Sequence, residues 1–150
     1  MYEAVEGPES VRRDDSGVWH IKAGTNVRVR LTIVVPDRRH FVAIDDPLPA
    51  GLEGVNLAFQ TTASGHRSKL QHKTYDFWRS YYALWAFNHK EMRDDRVVLF
   101  ADMLPAGGYE YTYLARATTY GRFGTPPLKA EEMYAPEVFG RNGTDIVVVE

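Results

Sequence analysis

The chain contains no cysteine. Disulfide frameworks, thiolate metal centres and cysteine nucleophiles are therefore excluded from its 150 residues. Nor does it hold an apolar run approaching the roughly 20 residues that a membrane-spanning helix needs. Charge of either sign is not in surplus, since 18 basic residues face 20 acidic ones for a net charge of −2. Arg28, Arg30, Arg38 and Arg39 lie close together, but Asp37, Asp45 and Asp46 offset them. That mixture reads as a solvated surface rather than a nucleic-acid footprint. Catalytic signatures are also missing: there is no GxSxG elbow, no GxxxxGK[ST] phosphate loop and no HExxH pair. Met1 to Ser16 is acidic and polar, unlike a signal peptide. The chain is expected to be a piece excised from a longer protein.

What is present favours strands. Aromatic residues reach 13%, nine of them tyrosine, and hydrophobic residues 44%. Aromatic side chains suit the pleated, half-buried surface of a sheet. Val27 to Val35 alternates strictly, with Val27, Val29, Leu31, Ile33 and Val35 on one face. Arg28, Arg30 and Thr32 occupy the other, until Val34 breaks the pattern. Period two over that length predicts a half-buried strand. Tyr109 to Thr119 repeats the device with Tyr109, Tyr111, Tyr113, Ala115 and Ala117. Shorter strands are expected over 18–22, 40–46, 52–56, 96–102 and 146–149. Asp46-Pro47-Leu48-Pro49-Ala50-Gly51 and Leu104-Pro105-Ala106-Gly107 should reverse the chain, because proline fixes φ and glycine permits positive φ. Residues 129–134 suit a short strand or one helical turn. Residues 57–76 read as a long loop, and 82–91 as a strand preceded by a possible short helical segment. Residues 1–16 read as an arm or linker ahead of a domain over 17–150. The sum is an all-β, antiparallel immunoglobulin-like or macroglobulin β-sandwich.

Several residues could carry chemistry. His20, His40, His66, His72 and His89 are scattered and form no metal-ligand spacing. The adjacent acids Asp14-Asp15, Asp45-Asp46, Asp94-Asp95 and Glu131-Glu132 would point to opposite faces of a strand. A hydrolase would therefore need two such pairs to converge, and turn formation explains them more simply. Trp78, Tyr81, Tyr82, Trp85 and Phe87 could form a stacking platform for sugars, although such a cluster is more often core. Arg93, Asp94 and Asp95, followed by Arg96, place opposite charges where a strand begins. Glu131, Glu132, Met133 and Tyr134 follow two prolines and suit a protruding apolar-aromatic tip flanked by acids. These two groups are the candidate interdomain contacts.

Three stretches go further. They are Phe41 to Glu53, with DPLPAG inside it; Phe87 to Val97 running on to Leu104-Pro105-Ala106-Gly107; and Tyr109 to Thr118 running through Pro126-Pro127 to Glu131-Glu132-Met133-Tyr134-Ala135-Pro136-Glu137-Val138-Phe139-Gly140-Arg141. In order and spacing they resemble the last macroglobulin domain of the bacterial alpha-2-macroglobulins, over about residues 20–150. The resemblance implies a non-catalytic domain, without a cofactor, at the C-terminus of a large periplasmic or cell-envelope protease inhibitor. It would pack against other domains of the parent chain, including the one bearing the thioester. Target proteases would be met only through the full-length protein, and neither nucleic acid nor direct membrane insertion is implied. A thioester needs a cysteine, so this chain cannot itself hold one. The alternative is a carbohydrate-binding β-sandwich module.

Overall fold

The computed structural model describes residues 1–55 and 86–150. Among them thirteen strands and one 3₁₀ turn assemble into three sheets. In chain order these are β1 (Tyr2–Ala4), the 3₁₀ turn (Pro8–Ser10), β2 (Val11–Arg13), β3 (Trp19–Ile21), β4 (Asn26–Val35), β5 (Arg39–Pro47) and β6 (Leu52–Gly54). There follow β7 (His89–Met92), β8 (Arg96–Leu104), β9 (Gly107–Ala117), β10 (Gly121–Thr125), β11 (Lys129–Glu132), β12 (Ala135–Arg141) and β13 (Asp145–Val149).

The two large sheets have orders β1-β4-β9-β6 and β12-β11-β5-β8-β7, and every pairing in them is antiparallel. The strand expected over 27–35 is β4, and its alternation is the burial pattern. Val27, Val29, Leu31, Ile33 and Val35 are buried, while Thr32 and Val34 are exposed. β9 behaves likewise, burying Tyr109, Tyr113, Ala115 and Ala117. Ile44, Leu99 and Leu104 from the facing sheet are fully buried. These side chains join in one core, as a two-layer β domain requires.

Three expectations need correction. Residues 1–16 are not an arm beside the sandwich. Tyr2 and Val11 are buried, β1 pairs with β4, and β2 pairs with β3. The runs are too short to show a period, but each is long enough to cap an open sheet edge. The third sheet, β10-β13-β3-β2, is not wholly antiparallel, because the last strand β13 runs parallel to β3 with Val147 opposite Trp19. Of the two forms expected for residues 129–134, the short strand is the one present, as β11 over Lys129–Glu132. Finally, Gly51 does not supply positive φ, which belongs instead to Gly7, Gly17, Gly24, Gly107 and Gly121. A Cβ at Gly51 would lie 2.4 Å from Cε2 of Phe123, so the position needs the absence of a side chain where β10 crosses it. Of the strand expected over 82–91, residues 82–85 lie outside the described residues, 86–88 are not strand, and only its end is found, as β7. The loop at 57–76, the helical segment before residue 82, and Trp78, Tyr81, Tyr82, Trp85, His66 and His72 lie outside the described residues.

Candidate functional site

The two candidate contact groups sit at opposite ends of one sheet. β5 pairs with β8 on one side and β11 on the other. Pro47 at the far end of β5 is opposite Arg96, so the Arg93–Asp95 turn lies there. Val42 is opposite Glu132, so the Met133–Tyr134 tip lies at the near end. At about 3.3 Å per residue, the two ends are roughly 20 Å apart and cannot form a single patch.

At the Arg93–Asp95 end, Arg93, Asp95 and Arg96 are paired within the domain. Arg93 Nη2 donates to Glu91 Oε2 at 2.8 Å. Arg96 reaches Asp45 Oδ2 and Asp95 Oδ2, each at 3.1 Å. Arg93 N donates to Arg96 O at 2.9 Å, and Leu48 N donates to Asp95 O at 2.8 Å. Arg96 holds the Asp95 carboxyl below its ordinary range, and Arg93 does the same for Glu91. These exposed, solvent-screened pairs help to fix the β7–β8 turn.

The other end presents apolar surface. Tyr134 is 81% exposed. Its ring meets that of Phe41 edge-on, with centroids 5.2 Å apart and planes at 87°. Phe41 is 45% exposed and has φ of +50°, the only positive φ at a non-glycine among the described residues. A bulky residue in the left-handed region costs on the order of 1–3 kcal/mol, and such strain concentrates at functional positions. Two hydrogen bonds lock the geometry. Met133 N donates to Phe41 O at 2.8 Å, and His40 N donates to Glu132 Oε1 at 3.3 Å. Met103, opposite His40 on β8, and Met133 are exposed beside them. Glu131 is paired with Lys129. Four exposed apolar side chains, Phe41, Met103, Met133 and Tyr134, thus share this end.

A cleft of about 290 Å³ adjoins the tip. Ile33 and Val35 of β4 form one wall, with Val42, Leu104, Ala130 and Val138 opposite. Val34 and Phe139 line it too and are 76% and 58% exposed.

Toward the opposite end of β5, near the Arg93–Asp95 turn, one polar contact crosses the core. Tyr113 Oη donates to Asp46 Oδ2 at 2.7 Å, joining β9 to β5 and so the two large sheets. Burial drives the Asp46 carboxyl up to about 6, against the opposing pull of that hydrogen bond and of the Met1 ammonium. Burial also raises the Tyr113 phenol, as does the Asp46 charge. On the third sheet, His20 lies 3.1 Å from Asp14 and 3.3 Å from Glu150. No group of three or more potential metal ligands occurs among the described residues. Phe87, considered above for a sugar platform, is buried against Tyr109 and Tyr111.

Of the exposed apolar residues at this end, Met133 and Tyr134 were among the sequence candidates, whereas Phe41, Met103 and Phe139 were not. The signal for Phe41 was present. In Phe41-Val42-Ala43-Ile44 the core positions are Val42 and Ile44, which leaves Phe41 as an aromatic out of phase with the alternation.

Residues 2–137 match the family described as the bacterial alpha-2-macroglobulin MG10 domain. The chain is 34% identical over 122 residues to an alpha-2-macroglobulin homologue of a Nostoc species, a match that takes in 81% of this chain and 6% of the homologue. It is 30% identical over 135 residues to circularly permutated Ras protein 2 of Dictyostelium discoideum, covering 90% of this chain and 3% of that protein. Among solved structures, native Escherichia coli alpha-2-macroglobulin, spanning domain MG7 to the C-terminus, superposes with a TM-score of 0.70 and 29% identity. That match covers 86% of this chain and 20% of the other.

Proposed function

The chain belongs to the bacterial alpha-2-macroglobulin MG10 domain family, and from that membership we propose that it serves as a non-catalytic docking domain of a protease-trapping inhibitor. In this reading it packs against neighbouring domains, the thioester-bearing domain among them, in the periplasm or cell envelope. Target proteases are engaged by the whole protein and not by this domain. The observation that carries the reading is the strained Phe41, which holds its ring against an almost fully exposed Tyr134. Exposed aromatic anchors on a rigid base are what a docking surface needs. The Met133–Tyr134 tip is therefore the contact we assign. The Arg93–Asp95 turn, where Arg93 and Asp95 are already paired, supplies the local fold of its own end. Domain-level function also fits the small share of each relative that the chain spans, 6% of the Nostoc homologue and 20% of the E. coli chain.

The test is a photo-crosslinking residue placed at position 134 in the native polypeptide of the source cells. We expect an intramolecular crosslink, recovered by peptide mapping, between position 134 and another domain of a larger envelope polypeptide. Crosslinks that fall only within this domain, or a native polypeptide in the cytoplasmic fraction, would overturn the reading. Glycan binding by the purified chain would move the carbohydrate-binding alternative forward.

A further inference from the structure

β1 covers only part of the edge of β4. Tyr2, Glu3 and Ala4 are opposite Val29, Arg28 and Val27. Met1 and Arg30 then exchange both backbone hydrogen bonds, Arg30 N to Met1 O at 2.9 Å and Met1 N to Arg30 O at 3.2 Å. In an antiparallel ladder, the residues that exchange bonds with one neighbour recur every second position. The groups that follow Arg28 and Arg30 on this edge therefore belong to Thr32 and Val34. Neither has a partner there among the described residues, although β9 continues to pair along the opposite edge as far as Val35. Both are exposed, and Val34 is 76% exposed.

The cleft lies beside this uncovered stretch. Side chains opposite one another on paired strands share a face. A strand laid along Thr32–Val34 would therefore turn its residues opposite Ile33 and Val35 inward, against Val42, Ala130 and Val138 across the cleft. An engineered apolar cavity of about 150 Å³ holds a benzene molecule, so 290 Å³ accommodates about two aliphatic side chains. The edge offers hydrogen bonds, and the cleft offers pockets for alternate side chains. These are the two components of recognition by strand addition.

We propose that the Thr32–Val34 edge of β4, together with this cleft, is a docking site for an extended polypeptide strand from another domain. The strand runs antiparallel to β4 in line with β1 and carries aliphatic side chains at every second position. The cleft walls are aliphatic, which calls for apolar side chains. Arg39 and Glu131–Glu132 on the lining give the rim both signs of charge, so the backbone and the aliphatic residues set the preference. The existing β1–β4 ladder supplies the register. The proposal needs only this edge and holds whether or not Tyr134 contacts a thioester domain.

The test gives the edge such a strand. The full chain is extended ahead of Met1 with Thr-Val-Thr-Val-Thr-Val, which places valines opposite Leu31, Ile33 and Val35 if the register of β1 continues. Amide exchange at Thr32 and Val34 is followed by NMR, with size-exclusion chromatography in parallel. Both amides should exchange freely in the unextended chain and slow by about tenfold or more in a monomeric extended chain. The same extension on a Val34→Pro background, which removes the edge donor that a border strand can spare, should return Thr32 to rapid exchange. Protection of both amides without the extension would show that the chain covers its own edge. No slowing on extension would show that the edge does not accept a strand. Protection that appears only with dimerisation would assign the edge to a second copy. Each of these three results overturns the proposal.

Discussion

Asp46 sets a pH dependence that can be worked from the structure. Its carboxyl is buried at the inter-sheet contact with Tyr113, and burial lifts it from 3.8 to about 6. The folded state therefore holds this proton through a window in which the unfolded chain has released it. Stability associated with the group is greatest below the unfolded value near 4 and is lost as pH rises through about 6. The shift of roughly two units corresponds to about 3 kcal/mol at 1.36 kcal/mol per unit. Asp46→Asn keeps a carbonyl oxygen for the Tyr113 hydroxyl and cannot ionise. The fixed effect of placing an amide in that site is the same at every pH. The informative quantity is thus the stability difference between the two proteins, measured by urea unfolding at pH 4 and again at pH 7. We expect the variant to gain about 3 kcal/mol relative to the parent between those values. In thermal melts that is a relative shift of about 6–12 °C for a domain of this size. Parallel stability profiles from pH 4 to pH 7 would refute the reasoning, since they would mean that Asp46 titrates normally.

Gly51→Ala should destabilise the fold by about 1–3 kcal/mol in chemical denaturation, because its Cβ would meet the Phe123 ring at 2.4 Å and the Thr119 carbonyl at 3.0 Å. Combining it with Phe123→Ala should cost less than the sum of the two single changes. At Phe41, Asn tolerates the left-handed region and a β-branched residue does not. Phe41→Asn should therefore leave stability within about 1 kcal/mol of the parent while Phe41→Val loses about 1–2 kcal/mol more; equal effects would mean that the φ of +50° is not maintained. Tyr134→Ala should change stability by no more than about 0.5 kcal/mol, as expected for an exposed side chain outside the core, whereas Leu99→Ala, fully buried, should cost about 2–5 kcal/mol. A large loss at Tyr134 would make the tip part of the core instead of a free surface.

The long strands were legible in the sequence because each satisfies its own face. β4 and β9 alternate over nine or more residues, and the observed burial follows the alternation. What escaped were strands whose reason to exist lies elsewhere in the chain. Tyr2–Ala4 is too short to carry a period, and it is a strand because β4, more than twenty residues later, offers it an edge. Ala135–Arg141 contains Pro136 and Gly140, both poor strand formers, yet β12 borders its sheet, where a proline can leave one side unbonded. Gly51 was read as a turn glycine from its neighbours in sequence. Its constraint is the ring of Phe123, 72 positions later and in another sheet. Local chemistry can suggest that a glycine is needed, but only packing tells whether the need is for φ or for space.

The same distinction governs the site. Both candidate contact groups carry charged residues at a turn beside a strand, although only one adds an apolar-aromatic tip. The fold separates them by what their charges do next. At the Arg93–Asp95 end, Glu91, Asp45 and Asp95 absorb both arginines, and neutralised pairs leave little to offer a partner. At the Met133–Tyr134 end, Glu131 and Glu132 are likewise taken up, by Lys129 and by the His40 amide, but there the acids anchor a hairpin that carries exposed aromatics. Their internal satisfaction makes the base rigid and leaves the apolar residues as the free component. Pre-ordering of this kind lowers the entropic cost of association. It also accounts for the backbone strain at Phe41, which the surrounding hydrogen bonds maintain so that the ring stands against Tyr134 on the outer surface rather than following its neighbours Val42 and Ile44 into the core.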